Sequence, residues 1–295
     1  MKKILITKDH ISSLVRTALE EDLRGGDVTA QFTISMDART TAVCTAKDPL
    51  VVCGMAYAKE AFAQVDQRVT FVAHAKDGTA VKKGAKLFTV KGPARGIVSA
   101  ERTAINFLGH MSGIASASNR MQSIVLPYGV TLLDTRKTTP GMRLEEKYAV
   151  ACGGAQNHRM GLFDMFLLKE NHLLAAGIKT ADEIDSAALW ELVRRMKKET
   201  GLKVEIEVEN LRELSAALTS GCDIVMLDNL SPALIKKAVV LRDDLSPNVK
   251  LEASGGITEK TLLSYAKTKV DYISMGVLTH SVKTADVSLR MDPIR

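Results

Sequence analysis

Basic side chains that could bind anions cluster in the middle of the sequence. Arg136 and Lys137 follow one short apolar run, Lys169 follows the next, and His158 and Arg159 lie between the two runs. At about 4 Å and an effective dielectric constant near 20, each pair of like charges costs on the order of 4 kcal/mol. Gathering several such charges is therefore expected only where anions bind, although ion pairing with nearby glutamates is the structural alternative for any single residue. The cluster predicts a site for small anionic substrates.

Acidic side chains occupy alternate positions of the predicted strand 204–210. Glu205, Glu207 and Glu209 share one face of this strand, because successive side chains of a strand point to opposite sides. In a barrel that face points inward, where carboxylates are costly unless cations or a metal compensate them. An edge strand with a solvated face is the alternative. Glu207 and Asp228, which follows another apolar run, are candidate contacts for ribose hydroxyls or for a Mg²⁺ that carries phosphates.

Glycines follow two further apolar runs. Ser254-Gly255-Gly256 leads into a helix predicted to begin near Thr258, and Gly276 ends the last run. Without a Cβ, glycine lets backbone N–H groups close on a phosphate, and a helix N-terminus behind them favours the negative charge. A plain turn is the alternative for Gly-Gly alone. Its place late in a series of strands favours a phosphate site.

The elements that must position these residues recur along the second half of the chain. Six apolar runs end near Asp134, Lys169, Glu207, Asp228, Ser254 and Met275. The steps between these positions are 35, 38, 21, 26 and 21 residues, which fit strand–helix units. Repeated units with polar residues after each strand predict an α/β barrel, whole or incomplete. An open doubly wound sheet is the alternative, and no G-x-G-x-x-G motif follows a strand to favour a dinucleotide fold.

The first hundred residues follow a different pattern. Residues 1–30 predict a helix and a polar turn, and residues 40–98 contain short β-type runs separated by turn dipeptides such as Asp77-Gly78. A helix is predicted from Ser99 to about Leu108. We therefore expect a small β-rich or α+β module before the barrel.

Composition and charge exclude several classes of protein. The chain of 295 residues carries a net charge of +6 and has a pI of about 9.0, a balance that attracts polyanions such as nucleic acid. Its aromatic content is only 4%, however, and no Lys/Arg run exceeds two residues, so we expect no nucleic-acid partner. No apolar stretch approaches the roughly 18–20 residues that cross a bilayer, so we expect no membrane partner.

The cell compartment is predicted from two further features. The apolar run near the start is too short for a secretory signal, which needs about 7–15 residues. The four cysteines are widely spaced, with no CxxC pair, and indicate reduced thiols. We therefore expect a cytoplasmic protein.

The most specific motif of the chain is Asp134-Thr135-Arg136-Lys137-Thr138-Thr139-Pro140-Gly141. Together with the residues at 146–150, 157–159 and 169–172, this motif resembles the quinolinate phosphoribosyltransferase family. Further segments that fit the family are residues 21–29, 101–104, 226–229, 254–257 and 271–290. The resemblance thus covers nearly the whole chain. Ala155 departs from it, because a third glycine is expected after Gly153-Gly154.

The resemblance implies an α/β fold in which an N-terminal α/β sandwich domain is joined to an incomplete, open α/β barrel. The corresponding boundaries are residues 1–112 for the sandwich domain, 113–282 for the catalytic barrel, and 283–295 for a C-terminal segment that returns to the first domain. It also implies a homodimer with shared active sites, with or without higher assembly, in which each barrel mouth receives Arg102 from the other subunit.

The resemblance also implies a reaction. A phosphoribosyl group would pass from phosphoribosyl pyrophosphate to quinolinate with decarboxylation, giving nicotinate mononucleotide, pyrophosphate and CO₂ in the de novo biosynthesis of NAD. Mg²⁺ would accompany phosphoribosyl pyrophosphate, and no organic cofactor is expected. A related barrel that only binds an anion, for transport or regulation, is the alternative.

Finally, the resemblance implies roles for particular residues. The residues that would bind the quinolinate dianion are Arg102, Arg136, His158 and Arg159. The expected catalytic residues, which also bind substrate, are Lys137 and Lys169 on the pyrophosphate side and Glu207 and Asp228 beside the ribose and its Mg²⁺. The remaining substrate-binding residues are Thr135 in the basic motif and, around the 5′-phosphate, Ser254, Gly255, Gly256 and Gly276.

Overall fold

The chain divides into two compact units, and the computed structural model describes residues 4–180 and 183–293. The first unit comprises residues 1–119, 139–154 and 281–295, and the second comprises 120–138 and 155–280. Residues 139–154, which the sequence analysis placed in the barrel, thus belong to the first unit. The reason is a buried carboxylate: Glu145 accepts a hydrogen bond from Tyr57 Oη at 2.7 Å, and its Oε1 lies 2.6 Å from His10 Nε2.

The first unit is built on a four-stranded antiparallel sheet. Its helices are α1 (Lys8–Leu23), α2 (Val28–Thr33), α3 (Met55–Val65), the N-terminal part of α4 (Ala94–Val125) and α5 (Arg143–Cys152). Its strands are β1 (Arg39–Ala46), β2 (Leu50–Val51), β3 (Thr70–Ala73), β4 (Ala80–Val81), β5 (Lys86–Pro93) and β12 (Val287–Met291). The sheet order is β12-β1-β5-β3, and β2 pairs separately with β4. Phe62, Phe71 and Phe88 pack together in its core, with the rings of Phe71 and Phe88 stacked 4.7 Å apart.

Helix α4 is much longer than the predicted helix 99–108. It extends over 32 residues and contains, besides Gly96 in its first turn, two interior glycines, a residue type that ordinarily weakens a helix. A Cβ at Gly113 would lie 2.4 Å from the Lys283 carbonyl oxygen, and a Cβ at Gly109 would lie 2.9 Å from Thr284 Cγ2. The glycines therefore allow the C-terminal segment to pack closely against the helix, and they do not end it.

The second unit contains a six-stranded parallel sheet. Its strands are β6 (Thr131–Leu133), β7 (Phe166–Leu168), β8 (Val204–Val208), β9 (Ile224–Asp228), β10 (Lys250–Ser254) and β11 (Tyr272–Ser274). The helices that accompany them are α6 (Glu170–Ala175), α7 (Ser186–Thr200), α8 (Leu211–Thr219), α9 (Pro232–Leu245), α10 (Glu259–Ala266) and α11 (Val277–His280), with a 3₁₀ turn at Leu126–Tyr128. All six strands were predicted from the apolar runs.

The strand order distinguishes the two folds that the sequence left open. The order β6-β11-β10-β9-β8-β7 follows the chain around a circle without the reversal that a doubly wound sheet requires. Within the described ranges, β6 and β7 do not pair with each other, so the circle stays open. The fold class of an N-terminal α/β domain and an incomplete α/β barrel is confirmed. The described residues include no helix of the length and hydropathy that a bilayer crossing requires.

Local sequence determines where the barrel helices begin. The Asn210 side chain accepts from the Glu213 N–H at 2.9 Å at the start of α8, and Ser231 precedes the first-turn proline of α9. Thr258 and Thr261 cap α10 reciprocally. Each cap lies a few residues beyond the end of a strand. Each βα loop is therefore short, with a paired strand on one side and a capped helix on the other.

Candidate active site at the mouth of the open barrel

The carboxyl ends of the parallel strands bring many of the predicted site residues to one edge of the second unit. Because all six strands run in the same direction, the residues that end or follow them lie on one side of the sheet. The predicted residues found at this edge are Thr135, Arg136, Lys137, Lys169, Glu207, Asp228, Ser254, Gly255, Gly256 and Gly276. We call this edge the barrel mouth.

Asp134 attaches the turn at 157–159 to the end of β6. Its carboxyl is fully buried and accepts hydrogen bonds from Asn157 Nδ2 at 2.6 Å and from the His158 N–H at 2.9 Å. Leu133 also forms a parallel bridge with Gln156. The sequence analysis gave Asp134 no role of its own. A carboxylate directly after a buried apolar strand was the available signal, because such a group must find hydrogen-bond donors.

Two of the three arginines of the predicted quinolinate site, Arg136 and Arg159, influence each other electrostatically. Arg159 is nine-tenths buried and donates from Nη1 to the Met165 carbonyl oxygen at 3.2 Å. Its Nε is buried and has no hydrogen-bond partner within residues 4–180 and 183–293. Burial lowers the pKa of Arg159, and the positive charge of Arg136 lowers it further. The guanidinium of Arg159 is thus buried and only partly hydrogen-bonded, and it lies near the exposed guanidinium of Arg136. This combination favours an anion as the missing hydrogen-bond partner of Arg159.

Lys169 and Glu207 form an ion pair between the ends of β7 and β8. The ammonium contacts Glu207 Oε2, and the lysine side chain is about half exposed. The Lys169 N–H donates to His172 Nδ1 at 3.0 Å, which orients the first turn of α6. Because this pair is accessible, a bound anion can compete for the lysine and a bound cation can compete for the glutamate.

Lys137 lies against the turn between β11 and α11. Thr279 Oγ1 donates to the Lys137 carbonyl oxygen at 2.7 Å, and the Lys137 N–H donates to Thr135 Oγ1 at 3.0 Å. A Cβ at Gly276 would lie 3.1 Å from Lys137 Cδ. The stem of this lysine therefore runs close to Gly276, so two segments predicted to bind different parts of a phosphorylated ligand are neighbours.

The Ser254–Gly256 turn requires its glycines. Gly255 and Gly256 adopt φ values of +91° and +60°, which side-chain-bearing residues rarely adopt. The Asn229 N–H donates to the Ser254 carbonyl oxygen at 2.9 Å, and the Asn229 amide donates to Asp228 Oδ2 at 2.7 Å. The ends of β9 and β10 are thereby joined directly ahead of the N-terminus of α10. Phosphate binding by this turn remains a prediction.

A buried acidic pair below the mouth was only half predicted. Glu205 on β8 and Glu252 on β10 are both fully buried, and their carboxylate oxygens lie within 4.8 Å of each other and of a His158 ring nitrogen. Burial raises the pKa of each carboxyl, and the negative charge of Glu205 adds to the rise for Glu252. The sequence analysis placed Glu205 on an inward face but did not single out Glu252, although a lone carboxylate inside the run Leu251–Ala253 was the signal.

Strand alternation predicted the face of β8 correctly for two of its three glutamates. Glu205 and Glu207 lie within the strand, which pairs with β7 and β9 and is therefore not an edge strand. The expectation that Glu209 joins them is wrong. The strand ends at Val208, and Glu209 is exposed where the chain turns into α8; its N–H donates to Glu213 Oε2 at 3.1 Å.

Arg102 belongs to the first unit. It is exposed on α4 and lines a cavity of about 420 Å³ together with Glu21, Asp22 and His110. His110 Nε2 in turn lies 3.1 Å from Glu146 Oε1. The role of Arg102 across a subunit interface remains a prediction.

This arrangement defines the class of protein. An open α/β barrel carries two arginines, two lysines, two accessible carboxylates and a glycine turn ahead of a helix at the carboxyl ends of its strands. The positive charges of such a mouth suit small molecules with several negative charges, and its glycine turn suits a phosphate group.

Comparison with known proteins gives the family. The model of the quinolinate phosphoribosyl transferase C-terminal domain matches residues 114–290, and that of the N-terminal domain matches residues 27–112. The chain is 36% identical over 282 residues to a probable nicotinate-nucleotide pyrophosphorylase (carboxylating) of Bacillus subtilis, covering 95% of this chain and 93% of the relative. It is 38% identical to the Mycobacterium leprae enzyme of that name, covering 95% and 97%.

A solved structure shows the same similarity. The nicotinate-nucleotide pyrophosphorylase from Francisella tularensis superposes with a TM-score of 0.89 at 40% identity, covering 99% of both chains. The chain therefore belongs to the quinolinate phosphoribosyltransferase family. Ala155, which departs from the expected glycine pattern, is accommodated because only Gly154 of its neighbourhood adopts a positive φ.

Proposed function

We propose that this chain transfers the phosphoribosyl group of phosphoribosyl pyrophosphate to quinolinate and releases CO₂, giving nicotinate mononucleotide and pyrophosphate. The observation that carries the proposal is the pair Arg136 and Arg159, two like charges held close together with a buried donor left over. Quinolinate carries two adjacent carboxylates, which would neutralise both guanidinium groups. The name of the family to which the chain belongs supplies the identity of this dianion.

Binding at this site would prepare the pyridine nitrogen for attack. With both quinolinate carboxylates held by arginines, the ring nitrogen is free to approach the anomeric carbon of the ribose. The new N–C bond forms as the C–O bond to pyrophosphate breaks, and the ring becomes a pyridinium. The pyridinium then accepts the electron pair of the adjacent C–CO₂⁻ bond, CO₂ departs, and a proton adds to the ring carbon.

Positioning and electrostatics would supply most of the catalysis. Lys137 and Lys169 stabilise the departing pyrophosphate, while Glu207 and Asp228 lie beside the ribose as it gains positive charge. The glycine turn at Ser254–Gly256, with Gly276, holds the 5′-phosphate. No covalent bond to the enzyme is required.

Two carboxylates at the mouth suit a divalent cation. Glu207 and Asp228 lie at the carboxyl ends of neighbouring strands and offer the oxygen ligands that Mg²⁺ prefers. Bound there with phosphoribosyl pyrophosphate, Mg²⁺ would neutralise charge on the leaving pyrophosphate. The exchangeable pairing of Glu207 with Lys169 leaves this carboxylate able to serve either partner.

The proposed reaction is tested by following the carbon that leaves. Quinolinate labelled in its 2-carboxylate is incubated with the purified chain, and trapped labelled CO₂ is counted. Release is expected only when phosphoribosyl pyrophosphate and Mg²⁺ are both present, with one pyrophosphate formed for each CO₂. Quinolinate binding without CO₂ release would instead indicate the anion-binding alternative and would overturn the proposed reaction.

We further propose that two chains share their active sites in a homodimer. Arg102 is the one residue of the predicted quinolinate set that belongs to the first unit, where it is exposed beside a cavity. In the proposed dimer, Arg102 of a second copy completes each barrel mouth and adds a further positive charge for the dianion.

Subunit mixing distinguishes shared from separate sites. An Arg102→Ala chain and a Lys169→Ala chain are each expected to be nearly inactive, whereas unfolding and refolding them together restores part of the activity. The recovery arises because a mixed dimer contains one site that carries neither substitution. A matched mixture of Arg136→Ala and Lys169→Ala chains serves as the control, since these two residues lie in the same unit and recovery is not expected. Failure of the first mixture to recover would contradict the shared-site arrangement.

A further inference from the structure

A continuous set of close polar contacts connects the buried acidic pair to the backbone of Arg159. The Arg159 N–H donates to His158 Nδ1 at 2.8 Å, and His158 Nε2 lies 2.9 Å from Glu205 Oε2. Glu252 Oε2 is 3.6 Å from the same ring nitrogen, and a carboxylate oxygen of each glutamate lies within 4.8 Å of the other. The Nδ1 atom of His158 therefore accepts a hydrogen bond, and its Nε2 atom faces the acidic pair.

This geometry assigns the tautomer of His158. Since Nδ1 accepts a hydrogen bond from a backbone N–H, it carries no hydrogen of its own. The ring hydrogen is then on Nε2, which lies 2.9 Å from Glu205 Oε2. The imidazole thus connects β8 to the 157–159 turn.

Glu205 and Glu252 are placed where they can support the 157–159 turn rigidly. They lie on β8 and β10, which flank the central strand β9, and both are fully buried. From the opposite side, Asp134 holds the His158 N–H. The turn that carries Arg159 is therefore held by its backbone through β6 and by its imidazole through β8 and β10.

We propose that Glu205 and Glu252 are positioning residues that, through His158, aim the Arg159 guanidinium at the anionic substrate. The inference rests on the proposed function, because it takes the ligand of Arg159 to be quinolinate. Its physical reason is that a charge-assisted, bidentate contact with a carboxylate depends strongly on the direction of the guanidinium. A buried acidic pair that only fills space would tolerate an apolar replacement.

The experiment compares an apolar and a polar replacement of Glu205 in the full chain. Glu205→Leu removes the acceptor for His158, and the KM for quinolinate is expected to rise at least tenfold while the KM for phosphoribosyl pyrophosphate stays within about twofold. Glu205→Gln, which keeps an acceptor oxygen of the same reach, is expected to stay within about threefold of wild type for both substrates. Unchanged quinolinate KM in a folded Glu205→Leu chain, or an equal rise in both KM values, would overturn the proposal.

A second measurement does not depend on how the leucine variant folds. In the wild-type chain labelled with ¹⁵N at its histidine rings, His158 is expected to show a protonated Nε2 and an unprotonated Nδ1 at neutral pH, assigned with a His158→Gln chain. The opposite tautomer would refute the proposed link from Glu205 through His158 to Arg159.

Two further measurements distinguish this inference from metal binding and from a failure of the proposed function. Glu205, Glu252 and His158 could also coordinate a metal, so the metal content of the wild-type chain is measured. Suppose that the wild-type chain holds one metal ion per chain and the Glu205→Leu chain holds none. These residues would then bind a metal, and the positioning role would be overturned. If the wild-type chain releases no CO₂ from quinolinate, the proposed reaction fails whatever the tautomer shows, whereas an active wild type with an unaffected Glu205→Leu variant refutes only this inference.

Discussion

Replacing Arg159 with alanine is expected to raise the KM for quinolinate about 100-fold, because the substitution removes a charge-assisted contact worth roughly 1.5–3 kcal/mol. The Arg159 side chain is already nine-tenths buried and hydrogen-bonded to the Met165 carbonyl oxygen. Binding of quinolinate therefore requires little further ordering of this side chain. The KM for phosphoribosyl pyrophosphate is expected to change less than about threefold, since Lys137 and Lys169 are proposed to hold that substrate. Steady-state kinetics with each substrate varied in turn provides the measurement.

Two further substitutions distinguish geometry from charge at this site. Arg159→Lys keeps the positive charge but loses the planar pair of donors, and its quinolinate KM is expected to remain on the order of tenfold above wild type. Arg195→Ala removes one exposed positive charge from α7 and should leave both KM values unchanged. A lysine variant as good as wild type would show that only charge matters, and an equal effect of Arg159→Ala on both substrates would contradict the assignment of this residue to quinolinate.

The strands and the residues at their carboxyl ends could be predicted from the sequence because both follow local rules. Alternation along 204–210 and the apolar runs that end in polar residues depend only on neighbours in the chain. Lys169 and Glu207 were therefore both expected at the mouth. The open strand order could not be derived from spacing alone, since it depends on which strands pair across the sheet.

The support beneath the mouth was harder to predict because its members meet only in three dimensions. Glu252 lies in an apolar run with nothing nearby in sequence to pair with it, and its partners Glu205 and His158 come from other segments. Asp134 likewise has its donors more than twenty residues away, at 157 and 158. Isolated acids within buried runs are thus the useful signal, because each must have a partner that the sequence does not identify.

The second large effect is expected at the glycine turn after β10. A Cβ at Gly255 would lie 2.3 Å from Asn229 Oδ1 and 2.8 Å from the Asn229 backbone nitrogen, so Gly255→Ala cannot be accommodated without moving one of the two loops. The φ of +91° adds backbone strain on the order of 1–3 kcal/mol. Since the turn is proposed to hold the 5′-phosphate, we expect kcat/KM for phosphoribosyl pyrophosphate to fall about 100-fold or more, with a smaller loss for quinolinate.

Gly256 and Gly84 provide the matched comparisons for this prediction. Gly256 has φ +60° with no atom within 4 Å of an added Cβ, so Gly256→Ala carries strain without a clash and is expected to cost less than about tenfold in the same constant. Gly84, in the first unit, has φ +83° and equally open surroundings, and Gly84→Ala measures the strain alone through a urea unfolding midpoint. If Gly255→Ala and Gly256→Ala lose activity equally, the close approach of Asn229 is not what fixes the turn. If Gly255→Ala binds phosphoribosyl pyrophosphate normally, the turn does not hold its phosphate, because a loop displaced by the clash could not keep its N–H groups aimed at the same anion.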